Sequence, residues 1–439
     1  MRSPAPLRSH ALNAKISWST YGLTALVGDD RNPMAQGPRV AIIGGGIGGL
    51  AAAVAMHRHG IDVKVYEQSQ HITEIGAGVS LSPNAIKALR ALGLSAPIAE
   101  IGFESDHQLV RNWNTGDIVS KVFRKGVYEK EFGAPYLSMH RADLVDILRR
   151  QLPEGVFRLG MQCVRAEADE TKGRAYFADG SVAEADILVG ADGIRSAVRR
   201  SLFGDEKPRF TGSVCWRGLV PLDAFPPGLI STDLTLYMGP RSHVIHFMVR
   251  GGKVVNFVAH VETNSWTGES WTQECDRAEV LRTFAGWHPP LLQLLGASER
   301  YYKWALYDRE PLDRWTKGRV TLLGDSAHAM LPHIGQGACM AIEDGYALAE
   351  VVAQLPNDLN GALRQYERLR LPRTRRAVLE ARARGKEMHL TSKWAQIRRN
   401  IRLAFQHQVG GDKTGLKLAE FYEYDVASAS RLSDRMSRT

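Results

Sequence analysis

The stretch Arg39-Val-Ala-Ile-Ile43-Gly44-Gly-Gly46-Ile-Gly-Gly49-Leu-Ala-Ala-Ala-Val-Ala-Met-His-Arg-His-Gly60-Ile-Asp62-Val-Lys-Val-Tyr66-Glu67 decides the fold. Its five-residue apolar opening reads as a buried strand, 50–59 as an alanine-rich helix and Gly60 as its stop. Asp62–Tyr66 returns as a second strand that ends in an acid. Glycines at 44, 46 and 49 between strand and helix predict a dinucleotide-binding βαβ unit. Gly44 allows the tight turn, Gly46 lets backbone approach a pyrophosphate, and Gly49 lets helix pack on strand. The pyrophosphate then meets the positive end of the helix. Glu67, 18 residues after Gly49, is placed to accept a hydrogen bond from a ribose hydroxyl. This pattern does not distinguish NAD from FAD.

Outward from that unit, the 439-residue chain is 44% hydrophobic and 23% charged, the balance of a globular protein of two or three domains. The longest apolar run, 40–56, holds five glycines in 17 residues and is too short for a membrane span. Cys163, Cys215, Cys275 and Cys339 form no C-x-x-C pair. A zinc ribbon and a disulfide scaffold are disfavoured, and no metal site is expected. With no clear targeting signal, the reading is a cytoplasmic protein.

Two later segments repeat the strand-to-turn theme. Ala185-Asp-Ile-Leu-Val-Gly-Ala-Asp192-Gly193-Ile-Arg-Ser196 is an apolar strand ending in Asp-Gly. Arg319-Val-Thr-Leu-Leu-Gly324-Asp325-Ser-Ala-His328 is another ending in Gly-Asp, followed by Pro332, a turn with Gly335 and Gly337, and a helix over 338–352. An aspartate at a strand end beside a helix N-terminus suits a second ribose or ribityl hydroxyl.

In this order and at these separations, the three motifs resemble those of the group A flavoprotein aromatic hydroxylases, over 38–376. Gly76-Ala-Gly78-Val, Tyr136-Leu-Ser-Met-His140-Arg141-Ala-Asp-Leu144 and Ala341-Ile-Glu-Asp344 add to the resemblance. It implies FAD as cofactor, with Arg141 contacting the flavin, Asp325 meeting the ribityl chain and Asp192 in a segment serving both FAD and NAD(P)H. NADH or NADPH and dioxygen are the implied co-substrates. The fold it implies is α/β: a Rossmann-like FAD-binding domain, an inserted mainly antiparallel β-sheet substrate domain and a C-terminal helical region. The expected division is a disordered extension over 1–37, a first FAD-binding part over 38–208 with room for a small excursion of the substrate domain, the substrate sheet over 209–304, a second FAD-binding part over 305–360, and a basic helical region over 361–439. The first 33 residues also read as sequence upstream of a natural start at Met34.

Within the family, the resemblance runs to hydroxylases of small hydroxylated aromatic acids (salicylate, 3-hydroxybenzoate and 6-hydroxynicotinate). It is carried by Tyr237-Met238-Gly-Pro-Arg-Ser-His243-Val-Ile-His246-Phe247, Trp304-Ala-Leu-Tyr-Asp308-Arg-Glu-Pro311 and Pro332-His333-Ile-Gly-Gln-Gly-Ala-Cys-Met340. Reduced flavin and dioxygen supply an electrophilic oxygen, and a ring accepts it best when its hydroxyl is a phenolate. Such a pocket needs a proton acceptor near the phenol, for which histidine is suited. The resemblance puts His243 and His333 in that role, with Met238, Phe247 and Pro332 lining the pocket, and leaves His246 and His328 structural. Some relatives carry a tyrosine where this chain has Phe247. In this the pair His243/Phe247 is more like salicylate hydroxylase, where hydroxylation at the carboxyl-bearing carbon expels carbon dioxide and leaves a catechol. Hydroxylation with the carboxylate retained is the alternative. Arg217, Arg241 and Arg250 stand level as its anchor.

The net charge of +9 is concentrated: 364–402 holds 13 Lys and Arg against 3 Glu. The segment reads as a helix interrupted near Pro372, with a solvated Arg-rich face. Sparse aromatics (Tyr366, Trp394) argue against nucleic-acid binding. Steering of an anionic substrate is a further use of such charge. The expectation is a monomer or homodimer that binds neither nucleic acid nor membrane. An FAD oxidoreductase that inserts no oxygen, and a basic interaction module built on 364–402, are the alternatives from other classes.

Overall fold

The computed structural model describes residues 37–71, 77–263, 273–408 and 418–431. Residues 1–36 of the expected N-terminal extension over 1–37, Gly76 and the last eight residues lie outside them.

A five-stranded parallel sheet forms the first layer, in the order Val320–Leu322, Ile187–Gly190, Arg39–Ile43, Asp62–Tyr66, Phe157–Arg158. Each of the three sequence motifs thus ends a strand of one sheet, and their turns emerge side by side at its carboxyl edge, where open α/β sheets bind ligands. Parallel strands covered on both faces are apolar throughout, and Ile187, Leu188, Val189, Val320 and Leu322 are fully buried. Helix Ile47–Arg58 is buried along its length from Ile47 to Met56 because it is wedged between this sheet and helix Gly337–Gln354.

The second layer is an eight-stranded sheet, ordered Gln273–Glu274, Tyr302–Asp308, Arg209–Pro221, Val254–Glu262, Ser242–Val249, Leu234–Gly239, His107–Asn112, Ile118–Phe123. All its pairings are antiparallel except Leu234–Gly239 with His107–Asn112. The last two strands come from within 38–208, joining the sheet made chiefly by 209–304. One face buries Trp216, Phe257, Phe284 and Leu294 under helices Arg277–Thr283 and Pro289–Gly296. The other face carries Cys215, Val258, His260 and His243, and packs toward the C-terminal helices.

One expectation about the basic segment is corrected and one holds only in part. Helix Leu359–Met388 runs through Pro372 without interruption. Proline removes one amide donor, the one that would serve the Arg368 carbonyl. The turns on either side are held by tertiary contacts: Tyr366 and Ala377 are fully buried and Arg370 is locked into ion pairs. The Arg-rich face is solvated in part: Arg364, Arg368, Arg375, Arg376, Lys386, Lys393, Arg398 and Arg402 are exposed, whereas other members of the segment are not. Arg370 is fully buried, Arg384 and Arg399 nearly so. Arg373, Arg375, Arg376 and Arg382 pair with Glu343, Asp313, Glu420 and the Asp308/Glu310 pair. Among the described residues, no helix is long and apolar enough to cross a membrane.

Candidate active site

The first glycine turn is built by close backbone contact. Gly44 sits at φ +112°, and a Cβ there would lie 2.2 Å from the Ala191 carbonyl oxygen. A Cβ on Gly49 would lie 2.1 Å from the Gly44 oxygen. Gly46 has nothing within 4 Å of where its Cβ would be, so the turn presents bare backbone. Gly46 caps helix Ile47–Arg58 without a side-chain hydrogen bond. Its first-turn amides are therefore directed outward, as an anion site requires. Glu67 accepts hydrogen bonds from the Gly45 amide at 2.8 Å and the Ser69 amide at 2.9 Å. The carboxylate thus braces the glycine turn from the end of the second strand, and each oxygen keeps a lone pair for a ribose hydroxyl.

Asp192 accepts from the Ala197 amide at 2.7 Å, the Val198 amide at 3.2 Å and the Ser196 hydroxyl at 2.5 Å. It holds the start of helix Ala197–Phe203 and so fixes the second turn. Asp325 is exposed at the start of the short helix Asp325–His328. Desolvation raises its pKa, opposed by the nearby charges of His328 and Arg141. Gly337 begins the helix Gly337–Gln354, again with no side-chain cap. Bare glycine backbone, the uncapped helix N-termini at Gly46 and Gln336, and half-buried Glu67 and Asp192 with exposed Asp325 at strand ends of one sheet fit an extended dinucleotide such as FAD.

Behind the third turn lies a buried ionic lock. Asp344 accepts from the Gly324 amide at 3.1 Å, from His328 Nε2 at 2.5 Å and from Arg370 Nε at 2.7 Å. Arg370 also reaches Glu343 at 2.5 Å, and Glu343 is held in addition by Arg373 at 2.8 Å and Asn84 at 2.5 Å. The neighbouring guanidinium groups keep both carboxyls below their usual range despite burial.

At the substrate end, the structure brings His243 and His333 together, with ring centroids 5.4 Å apart. Two residues that sequence reasoning missed complete the cluster. His260 pairs with His243 across adjacent strands, and the two rings stack at 4.2 Å. His389, just past helix Leu359–Met388, hydrogen-bonds His243 through its Nε2 at 2.7 Å and Glu262 through its Nδ1 at 3.2 Å. His260 was recoverable only from the register of the hairpin; no sequence signal marks His389. Burial, aided by one another's charge and by Arg384 and Arg217, drives the pKa of His243 and His260 well below the usual histidine value. Burial likewise takes His333 down to about 3. Burial thus favours the neutral form of all three, and neutral imidazoles can accept a hydrogen bond.

Strand alternation sorts the remaining residues. His246 points to the opposite face from His243, toward Tyr237, and His328 is bonded to Asp344. Met238 is buried with Met388 and Leu403, against the C-terminal helices. Phe247 sits with Leu234, Val249 and Tyr136, its ring against Gly78. Pro332 is exposed at the head of the turn bearing His333. Of the three arginines, Arg241 pairs with Glu262 and Arg250 with Asp143, each about half exposed. Arg217 lies over Trp304 at 4.3 Å, near enough to His260 to lower its pKa, and its buried Nε has no hydrogen-bond partner.

The family model described as FAD binding domain matches residues 38–381. The chain is 39% identical to the 3-amino-4-hydroxybenzoate 2-monooxygenase PtnB3 of Streptomyces platensis over 80% of its length and 89% of the relative's. It is 36% identical to 6-hydroxynicotinate 3-monooxygenase of Pseudomonas fluorescens, covering 73% and 84% of the two chains. Its fold superimposes on a salicylate hydroxylase substrate complex with a TM-score of 0.76, at 29% identity and over 91% and 98% of the two chains.

Proposed function

Because the chain belongs to the FAD binding domain family, we propose that this aromatic-ring monooxygenase hydroxylates a salicylate-type acid at its carboxyl-bearing carbon, releasing carbon dioxide and a catechol. NADH or NADPH supplies two electrons; one atom of dioxygen joins the ring and the other leaves as water. The observation that carries the reading is the pairing of buried His243 with half-buried His333, in a cluster whose His260 lies near Arg217, a guanidinium with an unpartnered Nε.

The Gly44–Gly49 turn, Glu67, Arg141, Asp192, Asp325 and Gly337 would hold FAD, which when bound would pass on the electrons of NADH or NADPH and activate dioxygen. The chain's own residues prepare the ring. His243 and His333, neutral at working pH, accept the hydrogen bond or proton of the ring hydroxyl. The positive field of Arg384, which helps to depress both histidines, would stabilise a phenolate in the same place, and Arg217 adds to it from the side of His260. Arg217 anchors the ring carboxylate, since its guanidinium is the one among the three candidates without an acidic partner in the structure. Phe247, buried in an apolar cluster, supplies no hydroxyl to the pocket.

The test is consumption of NADH and of NADPH with a panel of hydroxybenzoates, aminohydroxybenzoates and hydroxynicotinates, with catechol and carbon dioxide measured as products. Salicylate turnover with one carbon dioxide per catechol is expected. A hydroxylated product that keeps its carboxylate overturns the decarboxylation; hydrogen peroxide as the only product with every compound overturns the substrate class. His333→Ala is expected to lower hydroxylation while FAD affinity stays unchanged, and Arg217→Met to raise KM for the acid about tenfold or more, the effect of losing a charged hydrogen bond.

A further inference from the structure

His389 lies outside the two sheets, 146 residues from His243, yet the two imidazoles share a 2.7 Å hydrogen bond at a buried site. The polarity of that bond follows from its far end. Glu262 as a carboxylate is an acceptor only, and Arg241 pairs with it at 3.3 Å. His389 Nδ1 must therefore carry the proton it donates to Glu262. In neutral His389, Nε2 is then the acceptor, so the donor is His243 Nδ1. His243 is left with its lone pair on Nε2.

We propose that His389, oriented by Glu262, is a positioning residue that fixes His243 as the Nδ1-protonated tautomer and shares the charge when Nε2 takes up a proton. The proposal rests on the reading of His243 as the acceptor for the ring hydroxyl. The proton balance is explicit. The phenol O–H bond breaks and a bond to His243 Nε2 forms; the Nδ1 proton shifts toward His389 Nε2, while His389 Nδ1–H stays hydrogen-bonded to Glu262. No proton is lost to solvent in that step. The groups that oppose this positive charge are all cationic or neutral: His260 stacked at 4.2 Å, His333 at 5.4 Å, and Arg384, Arg399 and Arg217 around the cluster. Arg384 and Arg399 are themselves occupied, with Glu387 and with the Glu387 and Met388 carbonyls. Glu262 is the acid that reaches the dyad, through His389, and burial makes its charge count.

The decisive comparison uses holoenzyme carrying Glu262→Gln, His389→Gln or His389→Ala, read in two ways. The first is the ¹⁵N spectrum of histidine-labelled protein, which reports the tautomer of His243 and needs no substrate. The wild type is expected to show His243 protonated on Nδ1; His389→Gln keeps that tautomer, because the amide oxygen still accepts, and His389→Ala loses it. The second is kcat for hydroxylation against pH. Glu262→Gln and His389→Ala are expected to lower kcat about tenfold or more at unchanged FAD affinity, with the acidic limb moved to lower pH as the supporting negative charge is lost. His389→Gln restores part of kcat. An Nε2-protonated His243 in the wild type, or unchanged kcat and pH profile in both Glu262→Gln and His389→Ala, overturns the proposal. If the tautomer behaves as expected while no compound is hydroxylated, it is the assigned reaction that fails and not the dyad.

Discussion

Replacing Arg370 by methionine removes the cation at the centre of the buried lock and leaves Glu343 and Asp344 in place, both fully buried. Glu343 retains Arg373 and Asn84, and Asp344 retains His328 and the Gly324 amide, so the loss is one guanidinium with two carboxylate contacts. Breaking a buried pair from one side costs about 3–5 kcal/mol, because the remaining charges stay desolvated. At about 2.1 cal/mol/K of unfolding entropy per residue, a folded unit of this size loses roughly 1 °C per kcal/mol. A fall in Tm of about 4–6 °C follows, measurable by circular dichroism and by release of flavin fluorescence. The variant also has a pH signature. In the wild type both carboxyls lie below their unfolded pKa, so their stabilisation is present above that pKa and lost as pH falls through the folded value. Without Arg370 their pKa rises, protonation relieves the penalty, and the gap between variant and wild type narrows as pH drops below about 5. The double variant Arg370→Met/Asp344→Asn should be less impaired than the sum of the two single changes. A loss of 1 °C or less at pH 7.5, or a gap indifferent to pH, would refute the reasoning.

Three further outcomes follow from the same geometry. His243, His246 and His260 are buried with depressed pKa values, so the unfolded chain binds protons that the folded one refuses. Stability is complete above the unfolded pKa of about 6.5 and falls below it, by about 1.4 kcal/mol per histidine between pH 7.5 and 5.5. Urea titrations at the two pH values should differ by about 4 kcal/mol, and equal midpoints would contradict the burial. Gly44→Ala forces a side chain at φ +112° against the Ala191 carbonyl; flavin-free protein on purification is expected, and stoichiometric FAD would show that the turn can yield. Gly385→Ala puts a methyl 2.6 Å from His333 Cδ2 while favouring the helix it sits in. Hydroxylation should fall with Tm and FAD affinity little changed, and full activity would mean that the His333 ring has no fixed place.

What the sequence discloses is what local geometry encodes. The three strand-turn-helix motifs are legible because each needs glycine or aspartate within a few residues of an apolar run, and the structure sets all three at one sheet edge. The histidine cluster is legible only in part. His243 and His333 stand out through their surroundings in the chain, whereas His260 depends on hairpin register and His389 on where a 30-residue helix happens to end. The basic segment misleads for the same reason. A run of arginines with few acids nearby reads as solvated, which holds for such residues as Arg364, Arg368 and Arg398, but the partners of Arg370, Arg375, Arg376 and Arg382 at 308, 310, 313, 343, 344 and 420 come from other parts of the chain. That pairing changes what the +9 means. Arg370, Arg373, Arg375, Arg376 and Arg382 are matched by acids at contact distance, which leaves little field from them beyond a Debye length of about 10 Å. The positive charge that bears on the proposed chemistry is instead that of Arg384, Arg399 and Arg217, buried or half-buried around four histidines. Its effect there is short-ranged: it lowers the pKa of the imidazoles and, in the proposed reaction, would favour an anionic ring. Helix Leu359–Met388 thus reaches both ends of the proposed site, through Arg370 behind the third glycine turn and through Arg384 and the adjoining His389 at the histidine cluster.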